Sequence, residues 1–372
     1  MRSVAVLPGD GIGPEVVDAS VQVLDRLGVA LDLRFGDIGW EFWRNEGTPV
    51  PARTWDLIAA TDTCLVGAVT SKPPREAGQE LAEHLQSDGH SYVSPVVQLR
   101  QRLGLFANVR PITDIRHGSF DFVVIRENTE GLYAGFDTYG LDDGLWEVVQ
   151  GHPNAAGSGQ QGTSASIRLQ TTAGLDQLFR FGLEYARRHG HQRLTVADKP
   201  NVLRGSGTHL RERLEQISAE YPEIETEILN VDAVALWMVR RPERFAVIVA
   251  ENMFGDILSD LGAGVMGGLG LAASGNIGAQ GSYFEPVHGS APPLVGTGRA
   301  NPMAILLSLE LMLSHLGLDV PARELRRAVV EVATAGRTVT YDLGGSATTR
   351  EVAAAVAEAL RVAGMPAGVA DE

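Results

Sequence analysis

Val4-Ala5-Val6-Leu7-Pro8-Gly9-Asp10-Gly11-Ile12-Gly13-Pro14-Glu15 carries a short apolar run into a glycine-rich turn and on into an amphipathic stretch, Glu15 to Leu27. A strand that breaks at proline and glycine and resumes as a helix is the opening unit of an α/β fold. The glycines are spaced G-x-G-x-G, whereas a doubly wound Rossmann domain needs G-x-G-x-x-G at this point. The chain is therefore read as α/β but not Rossmann. Glu285-Pro286-Val287-His288-Gly289-Ser290-Ala291-Pro292 offers small residues and backbone N–H groups that could approach a phosphate closely, and a structural turn explains either glycine-rich segment equally well.

Outward from that unit, the apolar runs Thr63 to Val69, Phe122 to Ile125, Leu194 to Ala197 and Phe245 to Ala250 read as strands, and Gln177 to Arg188 as a helix. Strand ends rich in Gly, Pro, Asn and charge suit a site beside a cleft between two domains. A length of 372 residues also fits two domains. Residues 151–165 are rich in Gly, Ser and Gln without a burial pattern, which predicts a flexible arm, and Gly364 to Glu372 should fray.

The formal charge of -15 argues against nucleic-acid or anionic-membrane partners. The single cysteine, Cys64, sits in an apolar run, excludes a disulfide framework and fits a reducing cytoplasm. No leader or membrane-spanning apolar segment is expected.

Asp256 and Asp260 in Asn252-Met253-Phe254-Gly255-Asp256-Ile257-Leu258-Ser259-Asp260 are four apart, so on a helix they share a face about 5–6 Å apart. A divalent cation would offset their repulsion, and an oxygen-only ligand set points to Mg2+ or Mn2+. On spacing alone a solvated acidic face is the commoner explanation. Asp232, after a strand-like run, could complete the set. Arg100, Arg110 and Arg126 could grip a substrate with two or three carboxylates, or could be surface residues on an arginine-rich chain. Tyr133 could supply a hydroxyl acid or pack as an interior aromatic. Of 31 basic residues only Lys72 and Lys199 are lysines. Lys199, in Thr195-Val196-Ala197-Asp198-Lys199-Pro200-Asn201, stands where a strand breaks into a loop and could act as a base. Codon bias explains its survival about as well.

Seven ordered motifs, GDGIGPE, LRQRLGLFANVRP, VVIRENTEGLYAG, ADKPNVL, NVDAVAL, NMFGDILSD and EPVHGSAP with GRANP, resemble the β-decarboxylating dehydrogenases of 2-hydroxy acids over nearly the whole chain. These are the isocitrate, 3-isopropylmalate, homoisocitrate and tartrate/D-malate dehydrogenases. The resemblance implies their two-domain fold, with a discontinuous cofactor-side domain, 1–105 and 267–372, and an inserted domain, 106–266, that carries dimer contacts. It implies a small di- or tricarboxylate substrate, Mg2+ or Mn2+, NAD or NADP, and a homodimer with shared active sites. It makes Tyr133 and Lys199 the acid/base pair, Arg100, Arg110 and Arg126 the carboxylate clamp, and Asp232, Asp256 and Asp260 the metal ligands. It also implies that Lys199 and Asp232 serve the other subunit's site. Ile12, Asn201, Glu285, His288, Gly289, Ser290, Ala291, Asn301 and Tyr341 fall on cofactor positions.

Pro293 replaces the residue that usually separates NAD from NADP. Tyr341 resembles NADP-dependent isocitrate enzymes, but Gly345 stands where they place a phosphate-binding arginine, so NAD is slightly favoured, with Arg299 or Arg337 as compensating cations. Ser94 and Val96 align with contacts to the 3-substituent. Their mixture favours a polar or anionic group, as in homoisocitrate or isocitrate, over an alkyl one. A regulatory relative without chemistry would keep the cleft but would not need Lys199, Tyr133 and the three aspartates.

Overall fold

The computed structural model describes residues 1–86 and 89–361; the stretch from Gly364 expected to fray lies outside them. Twelve strands form among the described residues: β1 (Arg2–Gly9), β2 (Leu31–Phe35), β3 (Thr63–Ala68), β4 (Ala107–Thr113), β5 (Asp121–Glu127), β6 (Asp137–Tyr139), β7 (Ser164–Ser166), β8 (Arg193–Asp198), β9 (Glu225–Asn230), β10 (Val247–Ala250), β11 (Ala273–Ile277) and β12 (Ser282–Pro286). Ten of them make one mixed sheet in the order β2-β1-β3-β12-β11-β4-β5-β10-β8-β9. Two parallel blocks, β2-β1-β3-β12 and β5-β10-β8-β9, are joined through β11 and β4. Three successive antiparallel pairings turn the second block against the first.

Alternation along each strand sorts side chains between the faces, because successive residues point to opposite sides of a pleated sheet. Val4, Val6, Val124 and Ile248 enter one large core beneath the helices Gly13–Leu27, Met303–His315 and Asp319–Ala335. On the opposite face, Ala5, Leu7, Cys64 and Val66 form one core, and Val123, Ile125, Val247 and Val249 form another with the helix Thr172–Arg188. Cys64 is a buried core thiol, and burial pushes its pKa up to about 12.

The seam between the blocks is narrow. β4 and β11 share three registered pairs, Gly275↔Val109, Asn276↔Asn108 and Ile277↔Ala107. Buried amides fasten it: Asn276 Oδ1 accepts from Asn108 Nδ2 at 2.9 Å and from Asn128 Nδ2 at 3.0 Å.

The arm expected to be flexible is regular. A short helix, Pro153–Ser158, and a single turn, Gln160–Gly162, lead into β7, which pairs antiparallel with β6. The composition hid this because the order comes from polar and backbone groups: Gln160 Nε2 donates to the Leu141 carbonyl at 3.0 Å, and Gly140 N to the Thr163 carbonyl at 3.0 Å.

Candidate active site

The helix Asn252–Met266 follows β10, starts on the Glu251 carboxylate, which accepts from Phe254 N at 3.0 Å, and packs on β4 and β5. Two glycines let it approach closely. A Cβ on Gly255 would lie 2.7 Å from Arg126 Cβ, and one on Gly262 would lie 2.7 Å from Ile112 Cδ1. The spacing of Asp256 and Asp260 thus does turn both carboxylates the same way, onto two arginines of the sheet. Antiparallel pairing of Arg110 with Val124 sets Arg110 diagonal to Arg126 on one face. Arg126 pairs with Asp256 and donates to Asn252 Oδ1 at 2.7 and 2.9 Å. Arg110 Nη1 lies 3.1 Å from Asp260 and 3.5 Å from Asp256, while its Nε donates to Asn108 Oδ1 at 2.7 Å.

Arg100, on the helix Pro95–Arg102, reaches the same place from another element. Its Nη2 is 3.8 Å from Glu285 Oε1, and its buried Nε has no hydrogen-bond partner among the described residues. Glu285 also accepts from Asn276 and Tyr283, each at 3.1 Å. Burial, followed by the Arg100 and Arg110 charges, pushes the Arg126 pKa down to about 10. Burial likewise lowers that of Arg110. Cations held this way favour an anion, since its charge relieves both costs. The Tyr133 ring lies 5.7 Å from the Arg126 guanidinium, and partial burial and then the Asp256 charge raise the phenol pKa, which preserves its O–H. Ser94 stands at the N-terminal boundary of the Arg100 helix, where its hydroxyl shares a hydrogen bond with Ser71 at 2.7 Å and does not cap the helix; Val96 lies one turn before Arg100 on the same face.

Two residues expected at this site stand elsewhere within one chain. Lys199, just past β8, and Asp232, in the first turn of the helix Val231–Arg240, pair with each other. No three Asp, Glu, His or Cys side chains among the described residues converge as a metal site. Asp256 and Asp260 still fit a divalent cation, because both are oxygen donors that already share one positive group, the Arg110 guanidinium. Lys72 is occupied by Glu80 at 2.5 Å and lies over the Trp40 ring.

The glycine-rich segments form one cradle. Ile12 N donates to the Ser290 carbonyl at 3.0 Å, and a Cβ on Gly11 would lie 2.1 Å from that oxygen, so only glycine fits there. Ala291 is the one non-glycine residue with positive φ, 41°, among the described residues, a strained turn of the kind found at ligand clamps. His288 Nδ1 donates to the Gly289 carbonyl at 3.0 Å, while its Nε2 is buried without a hydrogen-bond partner among the described residues; burial lowers its pKa. The unpartnered nitrogen and exposed Gly289 fit a nucleotide. Asn301 Nδ2 holds Asp342 at 2.9 Å, and Arg299 stacks 4.9 Å from the exposed Tyr341 ring. Asn201 does not join this cradle; it is exposed in the Lys199 loop.

A cavity of about 660 Å³ over the seam, lined by Tyr185, His191, Glu310, His315 and Arg326, contains none of these residues.

The family model for isocitrate/isopropylmalate dehydrogenase matches residues 3–356. The chain belongs to this family. It is 53% identical over 95% of its length to protein DlpA of Legionella pneumophila, of which it spans 58%. It is 35% identical to the 3-isopropylmalate dehydrogenase of Methanothermobacter thermautotrophicus, with 96% of this chain and 98% of that enzyme covered. A solved isocitrate dehydrogenase from Methylococcus capsulatus matches with TM-score 0.83 and 38% identity, covering 96% and 99% of the two chains. The family comprises oxidative decarboxylating dehydrogenases that typically depend on a divalent metal and NAD(P), bind small carboxylates and often act as homodimers. No helix among the described residues is long and apolar enough to cross a membrane.

Family motifs did not single out the residues that brace the site. Asp10 accepts from Trp40 N at 2.7 Å and Thr70 N at 2.9 Å, and Thr70 donates to Ser290 at 2.8 Å. Ser259 and Asn108 fix Arg110, and Asn252 fixes Arg126. The only signal was local and partial: Asn108, Asn252 and Ser259 lie inside motifs, one or two positions from a charged residue.

Proposed function

We propose that this chain oxidises and decarboxylates a 3-substituted malate, of the homoisocitrate or isocitrate type, with NAD(P) and Mg2+ or Mn2+. The observation that carries the reading is the gathering of Arg110 and Arg126 on Asp256 and Asp260, with Arg100, paired to Glu285, close enough for its charge to depress the Arg126 pKa. Asp256, Asp260 and Glu285 match the three guanidiniums only until a divalent cation takes the two aspartates, and a dianionic or trianionic substrate would then restore the balance.

Held in the 288–291 cradle, a nicotinamide cofactor supplies a hydride acceptor, and a divalent cation held by Asp256, Asp260 and Asp232 of a second copy supplies a Lewis acid. The chain's own residues do the rest. Arg100, Arg110 and Arg126 grip the malate carboxylates and hold the C2 hydroxyl toward Lys199 of the second copy. Lys199 takes the hydroxyl proton as C2 is oxidised, which requires a neutral amine at that step. After carbon dioxide leaves, Tyr133 returns a proton to C3.

A second copy is supported by apolar exposure on the two helices nearest the aspartates: Leu236 and Val239 on Val231–Arg240, and Ile257 on Asn252–Met266, are more than half exposed. Lys199 and Asp232, paired outside the arginine cluster, are the residues such a copy would lend. The two blocks of the sheet support the discontinuous division 1–105 with 267–372 against 106–266. NAD is favoured over NADP because the full phosphate-binding set is absent. Val96 beside Ser94 favours a second reading, an alkyl substituent as in 3-isopropylmalate, whose enzyme is among the similar proteins.

The test is a matrix of isocitrate, homoisocitrate, 3-isopropylmalate, D-malate and tartrate against NAD and NADP, with Mg2+, Mn2+ or chelator. Metal-dependent NAD(P)H formation from homoisocitrate or isocitrate is expected. Tight binding without turnover on any substrate would favour a regulatory role, and full activity in chelator would remove the metal from the mechanism.

A further inference from the structure

We propose that Arg168 is a positioning residue that fastens the strand end bearing Lys199 to the helix bearing Asp256 and Asp260. The inference rests on the roles proposed above for those residues and for Tyr133. Arg168 Nη2 donates to Asp198 Oδ1 at 2.9 Å, and Asp198 is the last residue of β8, fully buried and adjacent in sequence to Lys199. Arg168 Nε lies 3.6 Å from Glu251 Oε2, and the guanidinium sits 5.4 Å from the Phe254 ring on the same helix. Glu251 in turn caps that helix and accepts from Leu132 N at 3.3 Å, beside Tyr133. One half-buried guanidinium thus touches the anchor of each segment: the base, the acid and the metal ligands.

The geometry suits arginine specifically. A planar fork contacts two carboxylates at once, whereas a lysine ammonium reaches them as a single point. Arg168 Nη1 also approaches Ser206 Oγ at 3.5 Å, and Gln170 donates to the Ser206 carbonyl at 3.4 Å, so the start of the helix Arg204–Ser218 is held from the same side. Between these anchors the Lys199 carbonyl accepts from Val202 N at 3.0 Å and Leu203 N at 2.8 Å, closing the turn that carries the amine. Neutralising Asp198 would explain one contact; it would not explain why the same group also reaches Glu251 and Phe254.

The test compares Arg168→Met, Arg168→Lys and the double variant Arg168→Met with Asp198→Asn, which removes the buried charge together with its counter-ion and so protects the fold. The first readout needs no substrate: hydrogen exchange at Val202 and Leu203 should quicken at least tenfold in both methionine variants, with the Thr349–Ala359 helix unchanged. The second uses the substrate that turns over best in the matrix. There kcat should fall about 100-fold with KM within threefold, because a base displaced by about 1 Å loses rate while the arginine clamp keeps its grip. Arg168→Lys should recover kcat to within tenfold. Unchanged exchange at Val202 and Leu203, or a kcat within twofold of the parent in both methionine variants, would overturn the proposal. Lys199→Met, run alongside, separates the failures: retained turnover there removes the base assignment but leaves the exchange result for Arg168 standing.

Discussion

Arg110 Nη1 and Asp260 Oδ1 lie 3.1 Å apart, so a guanidinium suited to a substrate carboxylate is held by an aspartate suited to a cation. Metal arriving at Asp256 and Asp260 would release Arg110 toward substrate, which couples the two binding events. Asp256→Asn should therefore raise the half-saturating Mg2+ concentration at least tenfold, about 1.4 kcal/mol, and weaken the fall in substrate KM that metal produces. Titrations of rate against Mg2+ at several substrate concentrations check this. An unchanged metal dependence would count against these ligands.

Lys199→Met should lower kcat by about 10² to 10⁴-fold, the range for loss of a positioned proton acceptor. The fold should survive, because Asp232 is largely exposed and solvent screens such an ion pair. Thermal melting and light scattering report the fold and oligomeric state alongside kinetics. A variant that keeps its kcat would end the assignment.

Glu310 gives a stability change with a defined sign. Burial is the main cause that pushes its pKa up to about 7, with Asp121 adding to it and Arg326, 3.7 Å away, opposing it. The folded state then holds a proton between the ordinary carboxylate range and about pH 7 that the unfolded chain has released. Stability from this group is complete below that window and is lost as pH rises through it. Glu310→Gln should be near neutral at about pH 4 and stabilising by about 1–3 kcal/mol near pH 8. Chemical denaturation at the two pH values measures the difference, and equal shifts at both would contradict it.

Arg299 stacks on Tyr341 at the rim of the cradle, 4.9 Å from the ring, and brings a cation there. Arg299→Ala should raise KM for NADP several-fold and leave KM for NAD within twofold. Equal effects on both cofactors would assign the stack to structure alone.

Much of this architecture was legible in the residues. Apolar runs such as Phe122 to Ile125 became central strands because burial on both faces leaves no polar positions. Asp256 and Asp260 were legible as a pair because helix period alone fixes their common direction. Their partners were not. Arg110 and Arg126 meet through an antiparallel register, and Arg100 arrives from a helix, so their convergence exists only after long-range pairing. The short helix and strand within residues 151–165 were not legible because their order lies partly in main-chain bonds that composition does not encode. Asp198 and Arg168 escaped notice because a buried ion pair across 30 residues has no sequence period.

The seam of three registered pairs between β4 and β11 is also where the site's polar groups are anchored. Asn108 steadies Arg110, while Asn276 joins Asn108 and Asn128 to Glu285, the neighbour of Arg100. Torsion of one block against the other would strain these amides. Grip at the arginines and twist of the sheet are therefore coupled through the seam, and a side chain that stiffened this waist would be felt as a change in how tightly the two blocks clasp what lies between them.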